Sequence, residues 1–143
     1  MVSAYKEDSL GQDDALGIAE KIKSGTLDVK TVTEDSIARA KSVNQDLNAI
    51  VAEDFDSALN RSQGTFSGMF NGVPTFIKDT DEVQGLPLFL GSSTLPGENS
   101  TKTSRAAQQI LDTGLNCLGT TTTPEFGLTG TVSYTHLTLP TKA

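Results

Sequence analysis

One cysteine, one histidine and no tryptophan stand among 143 residues. The single Cys117 excludes an intrachain disulfide, and neither it nor His136 belongs to a Cys/His cluster that would hold a metal. Basic residues are scarce: 11 Lys and Arg face 18 Asp and Glu, a formal net charge of −7, and no basic block occurs. Nucleic-acid binding relies on clustered Lys and Arg that neutralise phosphates, so no nucleic-acid partner is expected. No run approaches the roughly 20 apolar residues of a membrane-spanning helix. The Lys6-Glu7-Asp8 start lacks the apolar core of a secretory leader. These absences lead to the expectation of a cytoplasmic protein with no membrane partner. Internal repeats, low-complexity tracts and charge blocks are also missing, which makes a single domain with one modest core the simplest organisation.

What the chain does carry is an alternation of helical and extended patterns. Ala15, Ile18, Ala19 and Ile22 recur at i, i+3, i+4 and i+7, which predicts an amphipathic helix over 13–24 stopped by Gly25. Thr31 and Glu34 have capping-box spacing ahead of Ile37, Ala40 and Val43, marking a second helix of about three turns. Leu47 to Ala52 reads as extended, and Asp54 or Asp56 opens a third helix through Leu59. Ser104 to Thr113 reads as a helix with Ala106, Ala107, Ile110 and Leu111 on one side and Gly114 as its left-handed cap. A short strand, Leu115 to Leu118, follows, and Cys117 within it is expected to be a buried thiol rather than a nucleophile. Thr123-Pro124-Glu125 combines an N-cap, a proline at the first helical position and an acid in the first turn, so a helix is expected to start there. That gives Glu125 a structural role at the helix dipole. The alternation predicts α/β packing, with right-handed crossovers wherever neighbouring strands are parallel.

The most informative stretch is Gly72-Val73-Pro74-Thr75-Phe76-Ile77-Lys78-Asp79, a strand-like run that drives a lysine to the end of apolar surroundings. Burial disfavours an ammonium; bringing its pKa from about 10.4 to near 7 takes roughly 4–5 kcal/mol of destabilisation of the charged form. A lysine so placed can act as a base. The alternative is a strand-end lysine that snorkels to solvent or pairs with Asp79, and these eight residues alone favour it, since most such lysines have no chemical task. Before this strand, residues 64–72 read as a loop. After it, Asp79 to Thr101 forms a longer one, with turn signals at Gly85, Pro87, Gly91, Pro96 and Gly97. Within that loop, Gly91-Ser92-Ser93 is read as turn chemistry, and Ser92 and Ser93 are assigned no catalytic role.

From Phe66 to Gly130 the order of motifs is more specific. The Gly-x-Pro-x-x-x-Lys-Asp strand is followed by Gly85-Leu86-Pro87, Gly91-Ser92, a helix, a strand and Thr123-Pro124-Glu125-Phe126-Gly127. This arrangement resembles the N-terminal part of the amidase signature family, and the opening helices and Leu47-Asn48-Ala49 are similar to that family too. The resemblance implies an α/β fold, a mixed sheet flanked by helices, incomplete in this chain. It also makes Lys78 the catalytic lysine of a Ser-cis-Ser-Lys triad. The family often has Asn-Ile after Lys-Asp, where this chain has Thr80-Asp81, which changes the contacts of the loop around the lysine.

Past Gly130 the family continues into a Gly/Ser-rich segment that supplies both serines, and nothing of that kind follows here. The stretch Val132 to Thr141 instead resembles one reading frame of a transposase adapter used in short-read DNA sequencing. Residues 1–131 are therefore read as an N-terminal fragment of an amidase domain and 132–143 as a non-native tail, so His136 is given no catalytic role. The resemblance implies hydrolysis of a small-molecule amide without metal or organic cofactor, by a complete enzyme of which this chain alone is expected to be inactive. Two other readings stand: the glutamine-amidase subunit of a tRNA-dependent amidotransferase, and a non-catalytic α/β interaction module with Lys78 in a surface ion pair. The sequence assigns no oligomeric state and no particular amide.

Overall fold

The computed structural model describes residues 2–128. The segment 132–143, set apart above on its sequence, and its His136 lie outside the described residues. The helices are α1 (Ala15–Lys23), α2 (Val29–Leu47), α3 (Phe55–Arg61) and α4 (Arg105–Leu111). The strands are β1 (Ile50–Glu53), β2 (Pro74–Lys78) and β3 (Asn116–Thr121), and a single 3₁₀ turn spans Glu125–Gly127. Among the described residues no helix is long and apolar enough to cross a membrane.

The first helix forms where its spacing predicts, capped by Asp14, whose carboxylate accepts the Gly17 amide at 2.8 Å. The second starts earlier and runs longer than the capping-box reading. Asp28, not Thr31, is its N-cap, accepting the Thr31 amide at 2.8 Å and the Thr31 hydroxyl at 2.6 Å, and the helix extends for 19 residues. It ends at Asn48, in the left-handed region at φ 48°, while the Asn44 side-chain oxygen accepts the Ala49 and Ile50 amides at 2.9 Å each. Those two bonds turn the chain directly into β1, so Leu47 is helical rather than extended.

The sheet has the order β1-β3-β2, with β1 antiparallel and β2 parallel to β3, so α4 lies on the crossover between the parallel pair. Alternation along β2 and β3 feeds both faces. Ile77 and Cys117 pack with Val83, Leu86 and Ala107 on the α4 side, whereas Leu118 packs with Ile37, Phe55 and Ala58, and Phe76 leans on that second cluster. A third cluster joins Leu10, Ile18, Ala19 and Ile22 to Val32 and Val73. Each fully buried large aliphatic side chain contributes about 1.5–3 kcal/mol. Helices on both sides of a mixed sheet are the architecture expected from the sequence. The buried Asn116 amide donates to the Ala58 carbonyl at 3.0 Å and accepts from Arg61 Nε at 3.2 Å, fastening α3 to β3.

The helix expected from Thr123 is reduced to the one 3₁₀ turn. Phe126 sits at φ 52°, and its amide donates to the Leu90 carbonyl at 2.7 Å. A right-handed helix cannot run through a residue in that left-handed region, and the bond to Leu90, far back in the chain, helps hold it there.

Candidate functional site

The parallel strands β2 and β3 end side by side, with Lys78 in register with Thr121 and the Asp79 amide donating to the Thr121 carbonyl at 2.9 Å. In open α/β sheets the C-terminal strand ends are where ligands are received. Strand alternation divides the last three residues: Ile77 and Asp79 are buried and Lys78 is exposed. The described residues therefore do not supply the dry surroundings expected for Lys78. Nor is the alternative ion pair formed, because among the described residues Lys78 makes no salt bridge and Asp79 faces the other way.

Asp79 is fully buried, at 0% exposure. Its two carboxylate oxygens each accept one loop amide, Oδ1 from Phe89 at 3.1 Å and Oδ2 from Gly91 at 3.2 Å. Between them Leu90 occupies the left-handed region at φ 51°. The loop is fastened again at its far side: Ser92 Oγ donates to Glu125 Oε1 at 2.7 Å, and the Ser92 amide donates to the Phe89 carbonyl at 3.0 Å. A Cβ on Gly91, itself at φ 68°, would collide with the Thr123 carbonyl oxygen, so only glycine lets the two segments approach this closely. Ser92 and Ser93 thus belong to a turn, as expected. Glu125 is structural by a different route from the helix dipole, through its bond to Ser92.

Between this loop and the strand ends lies an open cleft of about 420 Å³, walled by Val51, Asp79, Phe89, Ser92, Ser93 and Thr122. Another hollow of about 390 Å³, at the start of α3, is lined by Lys41 and residues 53–57 and holds none of the motif residues. Among the described residues no group of three His, Cys, Asp or Glu side chains is placed to hold a metal ion. Burial pushes the Cys117 thiol above its ordinary value, which keeps it protonated and unreactive. The sequence reading placed Lys78 at the strand end, where it lies, and missed the loop-holding role of Asp79 and the Ser92–Glu125 bond. The two ends of that bond are 33 residues apart, beyond any local spacing rule.

The family profile described as Amidase matches residues 31–142. This chain belongs to the amidase family. The match runs on into the C-terminal stretch that its sequence sets apart. Among curated relatives, the AmiC protein of Mycobacterium tuberculosis is 37% identical over 141 residues, covering 95% of this chain and 29% of AmiC. The acylamidase of Rhodococcus erythropolis is 33% identical, covering 89% of this chain and 28% of that enzyme. The amidase-family chain thus spans less than a third of the length of these relatives. A solved 6-aminohexanoate cyclic dimer hydrolase complexed with its substrate superimposes with a TM-score of 0.71 at 31% identity, over 80% of this chain and 24% of that one. A bacterial aryl acylamidase of the amidase signature enzymes gives 0.73 at 27% identity, over 83% of this chain and 27% of its own.

Proposed function

We propose that the chain is the N-terminal part of an enzyme that hydrolyses a carbon–nitrogen amide bond in a small molecule, with Lys78 as the base of a Ser-cis-Ser-Lys triad. The observation that carries this reading is the position of Lys78. It closes the Gly-x-Pro-x-x-x-Lys-Asp strand at the C-terminal end of a parallel pair, next in the chain to Asp79, which walls the cleft, in a chain of the amidase family. In the complete enzyme a serine hydroxyl attacks the amide carbonyl while its proton passes through a bridging serine to the Lys78 amine. Backbone N–H groups hold the oxyanion. Collapse of the tetrahedral intermediate breaks the C–N bond, and the departing amine takes the proton back. Water then attacks the acyl-serine and releases the acid. No step calls on a metal or an organic cofactor.

The scheme requires the remainder of the domain to cover Lys78, which is exposed among the described residues, and to bring both serines to it. On this reading the 143-residue chain alone turns over no amide. The decisive experiment is expression of the complete reading frame from the source gene, with and without Lys78→Ala, against a panel of primary, secondary and cyclic amides. Turnover is expected to fall by about three orders of magnitude or more in the variant, with the far-ultraviolet spectrum unchanged. A near-normal rate removes Lys78 from the mechanism.

A second reading has its own support: a glutamyl-tRNA(Gln) amidotransferase component from Streptomyces coelicolor is 30% identical over 122 residues, covering 80% of this chain. Glutamine hydrolysis that occurs only with partner subunits present, and no turnover of other amides, assigns the chain to that role.

A further inference from the structure

We propose that Asp79 is a positioning residue for the base at Lys78, acting through the loop that its carboxylate holds over the ends of β2 and β3. This rests on the amidase reading above, and the observations behind it are independent of the serines. A fully buried carboxylate is expensive, costing several kcal/mol unless it is paired. Among the described residues Asp79 has no cationic partner, only the Phe89 and Gly91 amides, one on each oxygen. That geometry explains the residue type. Asparagine would turn an NH₂ group toward one of two N–H donors, and serine has one oxygen where two are needed. The clasp also explains Leu90, a branched residue held in the left-handed region at φ 51° between the two bound amides. Backbone strain of that kind persists where the surroundings over-determine it.

Lys78 is coupled to this clasp by the peptide group that joins it to Asp79. Its carbonyl accepts the Asp81 amide at 3.1 Å, and the next amide, that of Asp79, is fixed to Thr121 at 2.9 Å. Releasing the loop frees the segment that holds the strand end from the cleft side, and the amine at residue 78 loses its fixed origin. A displacement of about 1 Å at a reacting group costs up to about 100-fold in rate.

The test uses the complete enzyme carrying Asp79→Asn and, separately, Asp79→Ala, which releases the two amides without setting a donor against them. Whichever variant folds is expected to lose about 10- to 100-fold in kcat, with KM within about threefold of the parent. Repeating the change in a Lys78→Ala background supplies the readout that a purely structural role would not give. If Asp79 acts through Lys78, the second substitution costs nothing further, whereas independent damage multiplies the two losses. Unchanged kcat in a folded variant, multiplying losses, or failure of both variants to fold overturns the proposal. The amidase reading fails separately, if Lys78→Ala retains activity whatever Asp79 does.

Discussion

Arg39 and Asp8 tie the first residues of the chain to the middle of α2. The guanidinium donates from Nε to Asp8 Oδ2 at 2.7 Å and from Nη2 to Oδ1 at 2.5 Å, and a further bond reaches the Gly11 carbonyl at 2.9 Å. The Arg39 and Asp8 side chains are only 15% and 12% exposed. The hydrogen bonds from Arg39 hold the Asp8 carboxyl below its ordinary value of 3.8, against an opposing effect of burial and with further help from the arginine charge. The folded protein therefore binds this proton less tightly than the unfolded chain. The contribution to stability is complete above the unfolded value and disappears as pH falls through the lowered folded one. Asp8→Asn should cost about 1–2 kcal/mol at neutral pH, a forked pair with little solvent around it being worth more than a surface one. Urea melts of both proteins at neutral pH and again well below the ordinary carboxylate value should show that difference shrinking. A gap of equal size at both would mean that the ion pair is not its source. Neither partner announced itself in the sequence, because 31 residues separate them and no local rule pairs them. Lys78 and Cys117 were legible for the opposite reason: each sits in a short apolar run whose own pattern fixes its place on a strand.

Among the elements, helix and strand identities followed from periodicity, and the departures came at junctions where two local signals competed. Thr31-x-x-Glu34 and Asp28-x-x-Thr31 are both plausible starts for α2. The carboxylate wins by accepting two bonds from one residue, the Thr31 amide and hydroxyl. At the other end, Asn44 and Asn48 together extend the helix through Leu47 before β1 begins. The turn at Glu125 was illegible because its helix is arrested at Phe126, which sits in the left-handed region and is bonded to Leu90 across the fold. Gly119 marks a different kind of constraint. It lies in β3 opposite Glu53 at φ 145°, outside the conformations open to other residues, and a Cβ there would strike the Ala52 carbonyl oxygen. Gly119→Ala must therefore either force the β1–β3 pairing apart or distort the central strand, for about 3 kcal/mol. Thermal unfolding should show a large downward shift in Tm. A variant that melts with the parent would mean that this backbone is free to relax.

For the molecule as a whole, the helices and sheet match a quarter or so of the larger solved amidases, and stability within this portion should be graded. β3 is the only described strand with a partner on both sides, and residues 116–120 are all buried. Each of its amides is either bonded to a neighbouring strand or buried between the two, so exchange requires the centre of the sheet to open. The first residues and the stretch between α3 and β2 have few regular backbone bonds and should open with little free energy. Hydrogen exchange on the 143-residue chain should thus find its slowest amides in Leu118 and Thr120 and its fastest in residues 2–7 and 63–69. The Phe89 and Gly91 amides provide the sharper comparison. They lie in a long loop, where rapid exchange is the usual rule, yet each is bound to a fully buried carboxylate. Protection there close to that of β3 would show the loop and the strand ends opening as one unit, which a clasp through Asp79 requires. Exchange as fast as at residues 63–69 would show the loop moving independently of the strand that carries Lys78.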